Sequence, residues 1–71
     1  MDLDIAKLIK VEKSKNGFTY EKIATEVGCS SSYVFRLEKG LRKEPSYTVV
    51  KRMIEMFGLS EDDLEKYRRK G

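Results

Sequence analysis

Three consecutive hydroxyl side chains, Ser30, Ser31 and Ser32, are followed by Tyr33 and, four residues after Ser32, by Arg36. These groups hydrogen-bond; nothing about their spacing suits them to make or break a covalent bond. Serine hydroxyls donate to or accept from several bases with little discrimination, whereas an arginine can bond in bidentate fashion to guanine O6 and N7. Catalytic chemistry is poorly supplied. The chain has no histidine, no nucleophile with a neighbouring base and no phosphate-cradling glycine loop, which argues against an enzyme. One cysteine without histidine excludes ordinary zinc sites and an intramolecular disulfide. Cys29 reads as a small, partly buried filler. Glu61, Asp62 and Asp63 lack the spacing and central glycine of a calcium loop. No metal, cofactor or small-molecule substrate is expected.

The charge distribution leaves two readings open. The formal net charge is only +3, but charged residues make up 38% of the chain and the basic ones cluster at Lys7–Lys15, Arg36–Lys43 and Lys66–Lys70. Such clusters suit a nucleic-acid partner. A solvated helical surface of mixed charge accounts for them equally well. No apolar run is long enough for a signal peptide or a membrane span, so a soluble protein of the reducing cytoplasm is expected.

Short helices must position these side chains. Length predicts a single small domain over residues 1–71, all-α and dependent on tight packing. The pattern predicts helices at about 4–15, 20–27, 31–39, 47–57 and 61–69. Asp2 or Asp4 caps the first, Thr19 the second, Ser30 the third, Ser46 the fourth and Ser60 the fifth, where Ser60 and Asp63 make a capping-box start. Glu61, Asp62 and Asp63 then sit at the positive end of that last helix dipole, with Arg68, Arg69 and Lys70 at the other. Ile5, Leu8 and Ile9 form an apolar stripe that also carries Glu12, and Val50, Met53, Ile54 and Phe57 form another. Phe18 is expected to staple the entry to the second helix.

The stretch Thr19 to Gly40, TYEKIATEVGCSSSYVFRLEKG, reads as two helices joined by a tight turn. Ala24 is small enough for a close helix crossing, and Gly28 tolerates the positive φ of the turn. Val34 and Leu37 face back toward Ile23 and Val27. That leaves Ser31, Ser32, Tyr33, Phe35 and Arg36 on the outward and N-terminal side of the third helix. Phe35 is expected to pack under the loop after Gly40, because an exposed phenylalanine disfavours solubility. Tyr33 could meet a thymine methyl or a phosphate.

At these residues the chain resembles the phage repressor/Cro-like (XRE-type) helix-turn-helix regulators. GFTYEKIATEVGCS resembles GLTQEELAEKLGVS, YVFRLEKG resembles TISRIENG, and EPSYTVVKRMIEMFGLS resembles NPSLETLLKLAKALGVS. The register runs ungapped over most of Ile9 to Leu64, apart from one extra residue before Pro45. The resemblance implies a five-helix DNA-binding domain with a central helix-turn-helix. It places base-facing positions at Ser31, Ser32 and Arg36. It places phosphate contacts at Thr19 and Tyr20, where a helix N-terminus offers free N–H groups, and at Arg42 and Lys43 in the loop. Glu44 departs from that pattern, since an acid there repels DNA. The resemblance also implies that Lys13 pairs with Glu38 to tie the first helix to the third, more weakly than an arginine would.

The implied function is sequence-specific DNA binding: a transcription regulator, a repressor of phage or mobile-element type, dimeric on a double-stranded operator. The end of the fourth helix through the fifth, with Leu59, Leu64 and Tyr67, is the expected dimer surface; the alternative is that these residues only close the monomer core, and for Leu64 that is the favoured reading. The alternative is a protein-interaction module, an antagonist or antitoxin-like partner, that keeps the fold without reading DNA.

Overall fold

The computed structural model describes residues 3–42 and 45–69. Expectations resting on Asp2, Lys43, Glu44 and Lys70 fall outside them. Five helices follow one another: α1 (Ile5–Asn16), α2 (Tyr20–Val27), α3 (Ser31–Glu38), α4 (Tyr47–Phe57) and α5 (Glu61–Glu65). Each starts at a side-chain oxygen that accepts from a backbone N–H in the first turn. Asp4 accepts from Lys7 at 3.1 Å, Thr19 from Lys22 at 3.1 Å, Ser30 from Tyr33 at 3.1 Å, and Ser46 from Val49 at 3.2 Å. Ser60 accepts from Asp63, whose carboxylate accepts in return from the Ser60 N–H, closing a capping box. A cap of this kind contributes about 1 kcal/mol, which matters for helices of eight residues or fewer.

The turn between α2 and α3 depends on Gly28. Its φ is +78°, and a Cβ there would lie 2.8 Å from the Arg52 guanidinium. Arg52 reaches across from α4 to donate to the carbonyl of Val27 at 3.3 Å. A cation and a donor thus sit at the negative end of α2.

The core is one cluster. α3 packs on α1 and α2, and α4 packs on α2. Leu8, Ile9, Ile23, Val27, Val34, Leu37 and Met53 are fully enclosed, and Ala24 is buried among them. Cys29 is half-buried; burial pushes its thiol up and keeps it protonated, in line with a filler. Phe18 stacks on Phe57 of α4, with ring centroids 6.0 Å apart.

The C-terminal segment differs from expectation. The fifth helix stops at Glu65 instead of continuing to about Arg69. The chain turns so that Tyr67, 5% exposed, enters the core and donates its hydroxyl to Glu12 at 2.5 Å. Leu3 and Arg68 form an antiparallel bridge beside it, and the Asp4 N–H donates to the Tyr67 carbonyl at 2.6 Å. The physical reason lies in Glu12, which is 3% exposed on the apolar face of α1. A carboxylate buried there needs a donor, and Tyr67 supplies one together with a large apolar ring. Tyr67 therefore closes the monomer and leaves the expected dimer surface. Leu59 and Leu64 are half-buried against the same core.

Burial, then the bond to Glu12 and the negative charge of Glu12 and Asp63, push the Tyr67 phenol up to about 12. A raised folded-state value means stability that is complete below the ordinary tyrosine value of about 10 and is lost as pH climbs through about 12. Tyr67→Phe should remove that alkaline loss. At neutral pH it should cost about 1–3 kcal/mol, because Glu12 is left short of a buried donor. Urea unfolding across neutral and alkaline pH checks both; a variant as stable as the parent would show that this bond does not hold the termini.

Candidate nucleic-acid interface

α3 has two different sides. Val34 and Leu37 are at most 1% exposed and belong to the core, so helical periodicity turns Ser31, Ser32, Phe35 and Arg36 outward, and all four are exposed. The hydroxyls of Ser30 and Ser32 lie 3.4 Å apart, so they orient one another at the start of the helix. Ser31, Ser32 and Arg36 thus come together on one accessible surface.

Tyr33 is placed differently. Its ring is half-buried, and the guanidinium of Arg42 lies 5.2 Å from the ring centroid. The tyrosine supports the loop cation from beneath, a cation–π arrangement that holds Arg42 beside α3. The Thr19 hydroxyl is committed to capping α2, and the hydroxyl of Tyr20 is committed to Glu38 at 2.5 Å. What the start of α2 offers an anion is therefore backbone N–H groups, with Glu21 in the same turn opposing one. Lys22 lies over the Phe18 ring at 5.7 Å.

Behind the surface lies a charge cluster. The Glu38 side chain is 6% exposed and meets Lys13 at 3.5 Å, Lys39 at 3.7 Å and the Tyr20 hydroxyl. Lys13 also lies 4.4 Å over the Tyr20 ring. Burial by itself pushes the Glu38 carboxyl up; the Tyr20 bond and the charges of Lys13 and Lys39 outweigh it and hold the carboxyl below its usual range. The same bond raises the Tyr20 phenol, with burial and the Glu38 charge adding to it. Lys13 stands within ion-pair range of Glu38 Oε2, yet no hydrogen bond closes on that buried oxygen. A single ammonium cannot satisfy both carboxylate oxygens as a guanidinium fork can.

Phe35 corrects an expectation. It does not pack under the loop after Gly40 but stands 42% exposed, edge-on to Tyr20 at 5.6 Å, with Lys39 over its ring at 5.6 Å. The aromatic edge and the cation satisfy the ring without burying it. Members of all three basic clusters also converge in space. Lys7, Arg42, Lys66, Arg68 and Arg69 line one cleft of about 840 Å³ around the start of α1. Their separation in sequence conceals this, since it takes the Leu3–Arg68 bridge and the bonds of Tyr67 to Asp4 and Glu12 to bring the two ends together. Arg52 and Tyr67 also escape a reading of the sequence. Glu12 carried a usable signal for Tyr67, being a carboxylate on an apolar stripe; no spacing points from Arg52 to Val27.

Because the folded-state value of Glu38 is lowered, its charge stabilises the fold fully above the ordinary glutamate value of about 4.3 and ceases to do so as pH falls below it. Glu38→Gln should melt below the parent at neutral pH, with the gap narrowing as pH falls below the ordinary glutamate range. Thermal melts across that range check this; a gap of constant width would show that geometry, not charge, fastens α3.

No curated protein and no solved structure shows a significant match to the chain. No helix among the described residues is long and apolar enough to cross a membrane. The sequence profile of a helix-turn-helix domain matches residues 4–66, a span that begins at the α1 cap and includes every helix. Five helices, a tight glycine turn between α2 and α3 and an outward polar face on α3 agree with that match, and the chain belongs to the XRE-like helix-turn-helix domain family.

Proposed function

We propose that this protein is a cytoplasmic, sequence-specific regulator that binds double-stranded DNA with α3 in the major groove. The finer reading is a repressor of phage or mobile-element type, acting as a homodimer and carrying no enzymatic activity. One observation supports it most: α3 buries Val34 and Leu37 completely while Ser31, Ser32 and Arg36 stand exposed on its outer side. Side chains in the N-terminal part of such a helix reach base edges. Arg36 is the discriminating reader, since its fork matches a guanine edge; the serines add bonds of low selectivity. Tyr33, half-buried beneath Arg42, meets a thymine methyl or a phosphate beside it. Backbone N–H groups at Thr19 and Tyr20, and the cations Arg42 and Lys43, grip phosphates. All of residues 1–71 serve this one domain.

The exposed rings of Phe35 and Tyr47 and the exposed Leu41 favour a second reading, a module that binds a protein partner. DNA affinity and its salt dependence separate the two.

Arg36→Ala should cost about 1–3 kcal/mol on the preferred duplex and relax selection at one base pair. Arg42→Ala should weaken preferred and scrambled duplexes alike and lower the salt slope by about one per subunit. Titrations of both variants on both duplexes across a salt series provide the measurement. Equal losses for Arg36→Ala on the two duplexes would remove Arg36 as a base reader.

Selection from random duplex DNA should enrich a two-fold symmetric site. Its half-sites should lie about 34–36 Å apart or a multiple of that, so that both copies of α3 meet the same face. One-to-one binding to an asymmetric site would defeat the dimer.

A further inference from the structure

Phe35 is an apolar ring held rigidly where a DNA reader faces its target. It follows Ser31 by four residues and Ser32 by three, so the three share one face of α3. With Thr19, Tyr20 and Glu21 they line a cleft of about 480 Å³ between α2 and α3. Its walls are the Phe35 ring, the edge of Tyr20 at 5.6 Å, and hydroxyls. Tyr20 is itself fixed by its 2.5 Å bond to Glu38, so both rings are anchored before anything binds. Lys39 lies over the Phe35 ring but does not line the cleft.

The lining carries one charge, the carboxylate of Glu21. Among the described residues no cation lines the cleft, so beyond the backbone N–H groups at the start of α2 it offers a phosphate little, and the Phe35 wall suits an apolar group. The major-groove edges of the four bases offer donors, acceptors and one apolar group, the 5-methyl of thymine. We infer that Phe35 is a specificity-determining residue that reads a thymine through its 5-methyl group, with the methyl seated against the ring in this cleft. The inference rests on the DNA-binding reading above and adds an apolar base contact to it. Ser31 and Ser32, at the rim, bond to the polar edge of the same or the adjoining pair. The exposure of Phe35 in the free protein is then the exposure of a contact awaiting its partner.

The experiment uses the site enriched from random duplex DNA. Each thymine in it is replaced singly by deoxyuridine, which removes the methyl and leaves every hydrogen-bonding group in place. Affinity is measured for the unaltered protein, for Phe35→Ala and for Phe35→Leu, with circular dichroism as the check on folding. One thymine per half-site should show about a fourfold loss with the unaltered protein, the worth of one buried methyl. Phe35→Ala should bind the thymine and deoxyuridine duplexes equally, while Phe35→Leu keeps part of the difference. The scan on the unaltered protein stands even where a variant does not fold. A selected site without a methyl-sensitive thymine overturns the inference, as does sensitivity that persists in Phe35→Ala; both leave DNA reading intact. Absence of any sequence preference overturns both readings. Unchanged affinity of Phe35→Ala on every duplex, with reduced self-association, assigns the ring to a protein contact and overturns the inference.

Discussion

Glu38 lies buried where α1, α2 and α3 meet, and its negative charge determines how all three are held. Lys13 approaches it from α1, Tyr20 from α2 and Lys39 from the turn after α3. Removing a carboxylate from water is costly, and only charges and donors in contact with it offset that cost. The helices that carry those groups must therefore stay in register with α3. The same cluster fixes the Tyr20 ring, whose edge then fixes Phe35. A buried ion pair of this kind contributes little net stability, but it can select one arrangement of elements over another.

A second buried carboxylate closes the other end of the molecule. Glu12 and Tyr67 lie far apart in sequence, yet their bond brings the C-terminal segment against the start of α1. In a domain of 71 residues no helix is long enough to be stable alone. Each depends on caps, on the shared core and on ties of this sort. Shortening α5 to five residues gives up helical hydrogen bonds but places an aromatic ring over Leu3 and the α1 start.

How much of this could be read in advance follows the range of the interactions. Caps at Thr19, Ser30, Ser46 and Ser60 act within three residues, so residue type and position announce them. The stripes through Leu8 and Ile9, and through Val34 and Leu37, appear as periodicity because burial repeats with the helix turn. The pairing of Lys13 with Glu38 came from family resemblance, not from spacing. The bonds from Tyr67 to Glu12 and from Arg52 to Val27 join elements whose approach depends on the whole fold, and nothing local encodes them. Phe35 departs from expectation for a related reason: hydrophobicity predicts burial on average, while its position on the outer face of α3 excludes it. The outer surface of α3 is locatable from the turn and the inward stripe, and so is the exposure of Ser31, Ser32 and Arg36 on it; the exposed Phe35 ring and the half-buried Tyr33 are not.

The makeup of that surface also bears on assembly. If α3 reads DNA as proposed, one subunit has few groups able to discriminate. The fork of Arg36 provides about 1–3 kcal/mol of selectivity. An apolar contact by Phe35 adds about 0.8 kcal/mol. The hydroxyls of Ser31 and Ser32 accept several bases and add little. Regulatory sites are distinguished from bulk DNA by about 4–10 kcal/mol, which one such subunit barely approaches. Two subunits on a symmetric site double the discriminating contacts and reach that range without any stronger reader. Phosphate contacts from Arg42 raise affinity on every sequence equally and cannot make up the difference. On the proposed reading, a reader with so small a vocabulary needs a pair of subunits to be specific, which ties the DNA-reading proposal to the proposed homodimer.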